Sequence, residues 1–361
     1  MKNRFLKSIS AAVVLVLSSG SASFAADKPE VRIGWVYAMA NAPVIVADKK
    51  GMFASNGIDA KVTEFTSGPI LFQALAGNQL DVGYVGFAPA ANWFTRGMQT
   101  VTVAKVNYGQ LAMVVRKDSG INSLADLKGK KIASVKKGSG TDALLRGYVL
   151  KEAGKLEADK DVDIVSMPSG NMGAALMTKV VDAAFMWEPF TTQFLLNGET
   201  KILFNVADSI PNYPWYVIVV KKEFLEKNRD AVVKLLQAHG EAVEFLNSSP
   251  TAGNDLIAAT FKPRVAAVEK SDNPEADTID ISNLKDKSGK NIAETEVVRL
   301  ARERIGFEYA INDKDLAFFD RQINWSRSLG FLKGELKAAD MVDTAPLQQA
   351  AAARGAKVTK K

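Results

Sequence analysis

The sequence predicts an α/β protein built as two similar lobes. Three observations carry that prediction. Short β-type runs alternate with longer helical patterns along most of the chain. One strand–loop–helix–strand unit occurs twice. The 361 residues, 47% hydrophobic and 24% charged, suffice for two separate cores.

The elements follow in order. Residues 31–35 predict a strand. Asn41 ahead of Ala42-Pro43 predicts a helix through Lys50, with a capping residue and a proline in the first turn, where its missing N–H costs nothing. Residues 60–65 alternate as a strand, 70–76 are helical and 81–85 form a short apolar strand. Further strands are predicted at 100–106, Leu111–Arg116, 131–135, 163–167 and Ala183–Trp187. Helices are predicted over 141–153, from Met172, over 230–247 and over 294–305. This rhythm predicts mostly parallel sheets. Residues 262–293 are polar and rich in Asp, Lys, Asn and Ser, and read as a loop insertion without function of its own.

The repeated unit starts at Ser67-Gly68, which precedes a helix and, 14 residues after the serine, Asp81 and a strand. Its second copy runs from Ser169-Gly170 to Asp182, 13 residues after the serine. A third start of the same kind is Ser139-Gly140-Thr141, directly after a strand. A helix start carries unpaired N–H groups and the positive end of the dipole, glycine lets a ligand reach the backbone, and serine adds a hydroxyl donor. Three such starts at strand ends predict a cleft that attracts an anion, because ligands of open α/β sheets collect at the carboxyl ends of strands.

Composition excludes much else. The chain has no cysteine, so disulfides, thiolate metal sites and thiol catalysis are out. The single histidine, His239, lies in an amphipathic run and reads as a helix-face residue, which leaves no histidine metal cluster. Glycine spacing matches neither the GxxxxGK[ST] loop nor GxGxxG after the first strand. Ser134-Val135-Lys136-Lys137 fits S-x-x-K, but its partner motifs are missing. Residues 1–25 have the pattern of a signal peptide: Lys2, Arg4 and Lys7, a short apolar run, then small residues before Ala25. Those three basic residues are half of the net charge of +6, and what remains is too small for a nucleic-acid footprint. The mature chain is expected to be exported and free, without a lipid anchor, since there is no cysteine to carry one.

Aromatic residues gather at the same strand ends. Trp35, Phe87 and Trp187 are the expected ligand walls, with Tyr37 and the Tyr213-Pro214-Trp215-Tyr216 group nearby. Glu188, at the end of its strand, either meets a cationic group of the ligand or forms a salt bridge on the lobe surface.

The segments VRIGWVYAMANAPVIVADKKGMFASNGIDAKVTEF, TSGPILFQALAGNQLDVGYVGFAPA, SLADLKGKKIASVKKGSGTDALLRGYVLKEAG, VVDAAFMWEPF and WYVIVVKKEFLEKNRDAVVKLLQAH, in that order, resemble the periplasmic solute-binding proteins of the sulfonate, taurine and nitrate class of ABC importers. The resemblance covers residues 31–247. It implies a two-lobed type II periplasmic-binding-protein fold, with the ligand cleft between lobes joined by two crossovers near residues 111–116 and 217–222. Lobe 1 would comprise 26–112 plus 221–361, including the insertion, and lobe 2 residues 113–220. The family's ligand positions map onto Trp35, Tyr37, Ala38, Ser67, Gly68, Gly86, Phe87, Asn107, Ser139, Gly140, Thr141, Asn171, Trp187, Glu188 and the Trp215 neighbourhood. In similar taurine binders a carboxylate precedes the return strand; here Trp215-Tyr216 stands there. The implied protein is not an enzyme and has no cofactor. It captures a small organic anion, an alkanesulfonate or an aminosulfonate such as taurine, and as a monomer delivers it to a membrane permease with its cytoplasmic ATPase. The alternatives are nitrate or a heterocycle such as a thiamine pyrimidine precursor, and a ligand-sensing partner of a membrane receptor.

Overall fold

The computed structural model describes residues 28–65, 67–261 and 281–355. The expected signal peptide and residues 262–280 of the expected insertion lie outside the described residues. Residues 281–293 form a turn with no named element, in which the Ile292 N–H donates to the Leu284 carbonyl at 2.8 Å and Ile281 is buried. Among the described residues, no helix is long and apolar enough to cross a membrane.

Two five-stranded sheets form the frame. The first is built from β1 (Glu30–Val36), β2 (Asp59–Phe65), β3 (Val82–Gly86), β4 (Thr100–Lys105) and β11 (Tyr216–Lys221), in the order β2-β1-β3-β11-β4. The second contains β6 (Leu111–Arg116), β7 (Lys131–Ser134), β8 (Asp163–Ser166), β9 (Ala183–Trp187) and β10 (Thr200–Asn205), in the order β10-β6-β9-β7-β8. The expectation of mostly parallel sheets is corrected. Each sheet has two parallel pairings and two antiparallel ones, because β6 and β11, which carry the chain from one sheet to the other and back, enter against the grain. Those strands are apolar and buried almost throughout, whereas the edge strand β2 is only half-buried, as its position demands.

Helices flank the sheets. Those between strands are α1 (Ala42–Lys49), α2 (Met52–Ser55), α3 (Gly68–Ala76), α4 (Phe87–Phe94), α5 (Gly140–Leu144), α6 (Ser169–Met177), α7 (Phe190–Leu196) and α8 (Val206–Ser209). Asn41 occupies the cap position of α1, but its amide donates to the Val36 carbonyl at 2.7 Å and closes the strand–helix loop instead. α5 continues without a break as a π-helical stretch, Leu145–Ala153. After β11 come α9 (Lys222–Lys227), α10 (Arg229–Ser248), α11 (Pro250–Thr260), α12 (Glu294–Ala301), α13 (Asp313–Ser328) and α14 (Ala345–Ala353).

The two chain crossings are tied to each other. The Leu111 N–H donates to the Tyr213 hydroxyl at 2.8 Å, and the Tyr216 N–H donates to the Asn107 side-chain oxygen at 2.9 Å. Beside them β5 (Asn107–Gly109) pairs antiparallel with β12 (Ile305–Phe307). Gly109 takes a positive φ there, and a Cβ would run into the Arg304 carbonyl. The Lys105 ammonium, buried at the end of β4, holds Asp315 at 2.9 Å and Glu308 at 3.2 Å.

The C-terminal stretch packs against elements of both sheets. Phe319 of α13 stacks on Phe87 of α4, with ring centroids 4.0 Å apart. On the same helix Trp325 lies against Gly147 of the π-helical stretch, where any Cβ would overlap the indole, and donates to Glu152 at 2.5 Å. Arg304, between α12 and β12, reaches the second sheet and pairs with Glu188, while Thr192 donates its N–H and hydroxyl to the same carboxylate at 3.1 and 2.7 Å. Burial pushes the Glu188 carboxyl up, and Arg304 and Thr192 pull it back. Residues 294–328 thus brace both sheets.

His239 is wholly buried in α10, with its Nε2 3.0 Å from the Lys105 carbonyl and its ring edge-on to Tyr84. Burial pushes its imidazole down from 6.5 to about 4. The unfolded chain therefore takes up this proton first. The stability that neutral His239 contributes is whole above about pH 6.5 and is lost as pH falls towards 4, with a slope of at most ~1.4 kcal/mol per pH unit. His239→Gln keeps a donor for the Lys105 carbonyl and removes the titration. Urea midpoints of the variant should fall less steeply over that window than those of the parent, and equal slopes would contradict a buried neutral imidazole.

For the Glu188–Arg304 pair, Arg304→Met strands a buried carboxylate and should cost about 3–5 kcal/mol of unfolding free energy. The double variant Glu188→Leu/Arg304→Met should recover more than half of that loss. A single-variant loss within about 1 kcal/mol would place the pair with ordinary surface bridges.

Candidate functional site

Between the sheets lies a cavity of about 530 Å³. Its walls are the carboxyl ends of parallel strands and the helices that leave them. β2 leads to α3, β3 to α4, β7 to α5 and β8 to α6, so four helix starts face one space. Helices after parallel strands run back along the sheet, which puts every such start on the same edge.

At α3, Ser67 is extended and Gly68-Pro69 opens the helix, with no side chain capping it. The first bond of the helix runs from the Leu71 N–H to the Ser67 carbonyl, so the Gly68 and Ile70 N–H groups precede the helical ladder. A Cβ on Gly68 would press on Val85 and Pro89 at 3.2–3.3 Å. α4 starts from Gly86 and α6 from Pro168, again with no side-chain cap.

α5 is built differently. The Ser139 hydroxyl accepts the Asp142 N–H at 3.1 Å, and its own proton is left to donate. The Asp142 carboxylate, wholly buried, accepts the Gly138 N–H at 2.9 Å and Arg146 at 2.7 Å. Arg146 continues to Asp159 at 2.6 Å, and Asp159 takes Lys137 at 3.2 Å. The Arg146 guanidinium, with help from Lys137, holds the Asp159 carboxyl below the usual carboxylate range. The Lys137–Gly140 turn is thereby fixed from beneath. As in α3, the Gly140 and Thr141 N–H groups precede the first helical bond, which runs from the Ala143 N–H to the Ser139 carbonyl.

Of the residues expected from sequence, the structure brings Ser67, Gly68, Gly86, Ser139, Gly140, Thr141, Trp187 and Trp215 to the cavity wall. The two lobes approach closely there: a Cβ on Gly140 would touch Ala88, Pro89 and Trp215 at van der Waals distance.

The others are elsewhere. Trp35 is buried against Tyr37, which packs on Phe261, and Ala38 is buried beside them. Phe87 points into the core under Phe319. Asn107 is the tie at the crossing. Asn171 is exposed in the first turn of α6 and does not line the cavity. Glu188 does form a salt bridge, but in the interior rather than on the surface, and with Arg304 as partner it is not available to a ligand. Trp35, Phe87 and Glu188 stand next to the wall residues Val36, Gly86 and Trp187 in sequence, but their own side chains are buried away from the cavity.

Sequence reasoning missed Gln73, Asn92 and Trp93, which also line the cavity. The signal was helical spacing. Pro69, Ile70 and Gln73 share one face of α3, and Pro89, Asn92 and Trp93 share one face of α4. Each face continues the wall one turn beyond its glycine.

With the geometry in place, similarity to known proteins can be set beside it. Residues 25–261 match the model of the NMT1-like family. A Brucella abortus protein inferred to be a binding protein is 30% identical over 309 residues, covering 84% of this chain and 88% of its own. A Bacillus subtilis protein inferred to bind aliphatic sulfonates is 31% identical over 220 residues, covering 59% and 64%. The crystal structure of the periplasmic aliphatic sulphonate binding protein SsuA from Escherichia coli superposes with a TM-score of 0.70 at 20% identity, over 87% of this chain and 92% of that one. The fold is that of the periplasmic binding proteins, and the chain belongs to the NMT1-like family.

Proposed function

We propose that the chain is the extracytoplasmic solute-binding component of an ABC importer, which captures an organic anion of the sulfonate class and hands it to a membrane permease. The observation that carries this reading is the convergence of four helix starts, with the Ser67 and Ser139 hydroxyls, on one cavity between two sheets. Positive dipole ends and neutral donors suit a tetrahedral oxyanion that must be bound and later released. The cavity lies within the usual range of about 300–1,000 Å³ for organic ligands and exceeds what a bare inorganic ion such as nitrate fills. The sulfonate-binding assignment of the Bacillus subtilis relative supports the same class.

Capture without turnover is also what the residues favour. The chain's one imidazole, His239, is buried in α10 against a backbone carbonyl and does not line the cavity. In the binding cycle we propose, the ligand draws the two lobes together by contacting the starts of α3 and α4 on one side and of α5 and α6 on the other. The paired crossings at Asn107–Leu111 and Tyr213–Tyr216 are the natural place for that bend.

Calorimetry on protein stripped of ligand by unfolding and refolding tests the reading. An alkanesulfonate should bind and be recovered unchanged, and at about 100 times its Kd it should add about 2.7 kcal/mol to stability. Ser67→Ala and Ser139→Ala should each weaken that binding by about 1–2 kcal/mol through loss of a donor to a charged group. Ser139→Ala should also lower stability by about 1 kcal/mol as a lost cap, which is read separately from Kd. Parental affinity in both variants would contradict the helix-start site.

A further inference from the structure

The wall of the cavity is one-sided in charge. Among the described residues that line it there is no aspartate or glutamate; the charged ones are Lys136 and Lys137. The carboxylates nearest in sequence are both wholly buried and engaged, Glu188 with Arg304 and Thr192, and Asp142 with Arg146 and the Gly138 N–H. Lys137 is held by Asp159, while Lys136 makes no salt bridge among the described residues.

Four aromatic residues also line the cavity. Trp93, Trp215 and Tyr216 come from the first lobe and Trp187 from the second. Trp93 and Trp187 are half-buried and line the cavity: Trp93 stacks on Phe72 with the Arg96 guanidinium 5.8 Å from its ring centroid, and Trp187 meets Phe190 edge-on, which leaves its indole face towards the cavity. Neither ring is needed to fix an oxyanion at the helix starts.

From these two features we infer that the site selects an organic anion with a planar aromatic tail and no ammonium group, and discriminates against zwitterions such as taurine. This rests on the reading of the cavity as an organic-anion site. An ammonium carried into the closed cleft would lose its water and find helix dipoles and lysines of its own sign, with no carboxylate to pair with. Discrimination of that kind is made by the missing partner rather than by an added contact. A flat ring gains by stacking on exposed indole, whereas a short alkyl chain leaves most of that surface wet.

The test needs no variant to begin with. Stripped protein is titrated calorimetrically with benzenesulfonate, ethanesulfonate and taurine, the last two differing by the amino group. Benzenesulfonate should bind about tenfold or more tighter than ethanesulfonate, and taurine about tenfold or more weaker than ethanesulfonate. Taurine binding as well as ethanesulfonate, or ethanesulfonate as well as benzenesulfonate, would overturn the inference while leaving an anion-binding protein. Failure of all three to bind would overturn the sulfonate reading and the inference with it. Trp187→Ala should then cost benzenesulfonate about tenfold and ethanesulfonate less than about threefold. Equal losses for the two would remove the aromatic wall from the explanation.

Discussion

The constraint on which the rest of the structure depends is electrostatic. Four helices begin at one cavity, and a helix cannot satisfy the N–H groups of its own first turn. In most proteins a side chain caps each such start. Here α3, α4 and α6 have none, and at α5 the Ser139 cap still leaves the Gly140 and Thr141 amides ahead of the ladder. Much of the local sequence follows from this. Gly68, Gly86 and Gly140 keep the backbone accessible, prolines 69, 89 and 168 stand in or just before first turns without adding a donor, and carboxylates are kept behind the wall.

The surrounding architecture joins two sheets at one seam. Both sheets are mixed because β6 and β11 cross between them, and the crossings are bonded to each other rather than left as free linkers. The C-terminal stretch adds a brace. Lys105 fastens Asp315 and Glu308 to the first sheet, whereas Arg304 and Trp325 fasten the same stretch to the second. Under the proposed cycle, any change in the angle between the sheets is felt by residues 294–328, which limits how far the lobes can part. Removing a buried partner such as Arg304 leaves a desolvated carboxylate and is more costly than the worth of the pair itself.

Much of the fold was legible in the sequence, because hydrophobic periodicity and the Ser-Gly starts are local signals. The strands Leu111–Arg116 and Ala183–Trp187 stand where the sequence predicts them, and so do the helices that open at Ser67-Gly68 and Ser139-Gly140, whereas the strand Thr200–Asn205 has no counterpart in the sequence reading. What was not legible depends on partners distant in sequence. Nothing near Glu188 announces Arg304, 116 residues away, and so its role remained open between ligand and surface bridge. Phe87 is expected as a wall from its place at a strand end, and Asn107 as a ligand position only through the family resemblance. Only packing shows that Phe87 lies under Phe319 and that Asn107 binds the Tyr216 amide. Sheet polarity likewise escapes a one-dimensional reading, since a strand's hydrophobicity is silent on its direction. Trp93 could have been found by continuing the helical period past Gly86.

The central claim is that main-chain amides at facing helix starts, rather than a cationic side chain, hold the anionic group. A crystal structure of the stripped protein soaked with an aromatic sulfonate measures this directly. The account predicts sulfonate oxygens within about 3.2 Å of the Gly68 or Ile70 nitrogen and of the Gly140 or Thr141 nitrogen, with the ring against Trp187 or Trp93. A sulfonate held only by the Lys136 and Lys137 ammonium groups at the wall, with those amides unoccupied, would contradict it.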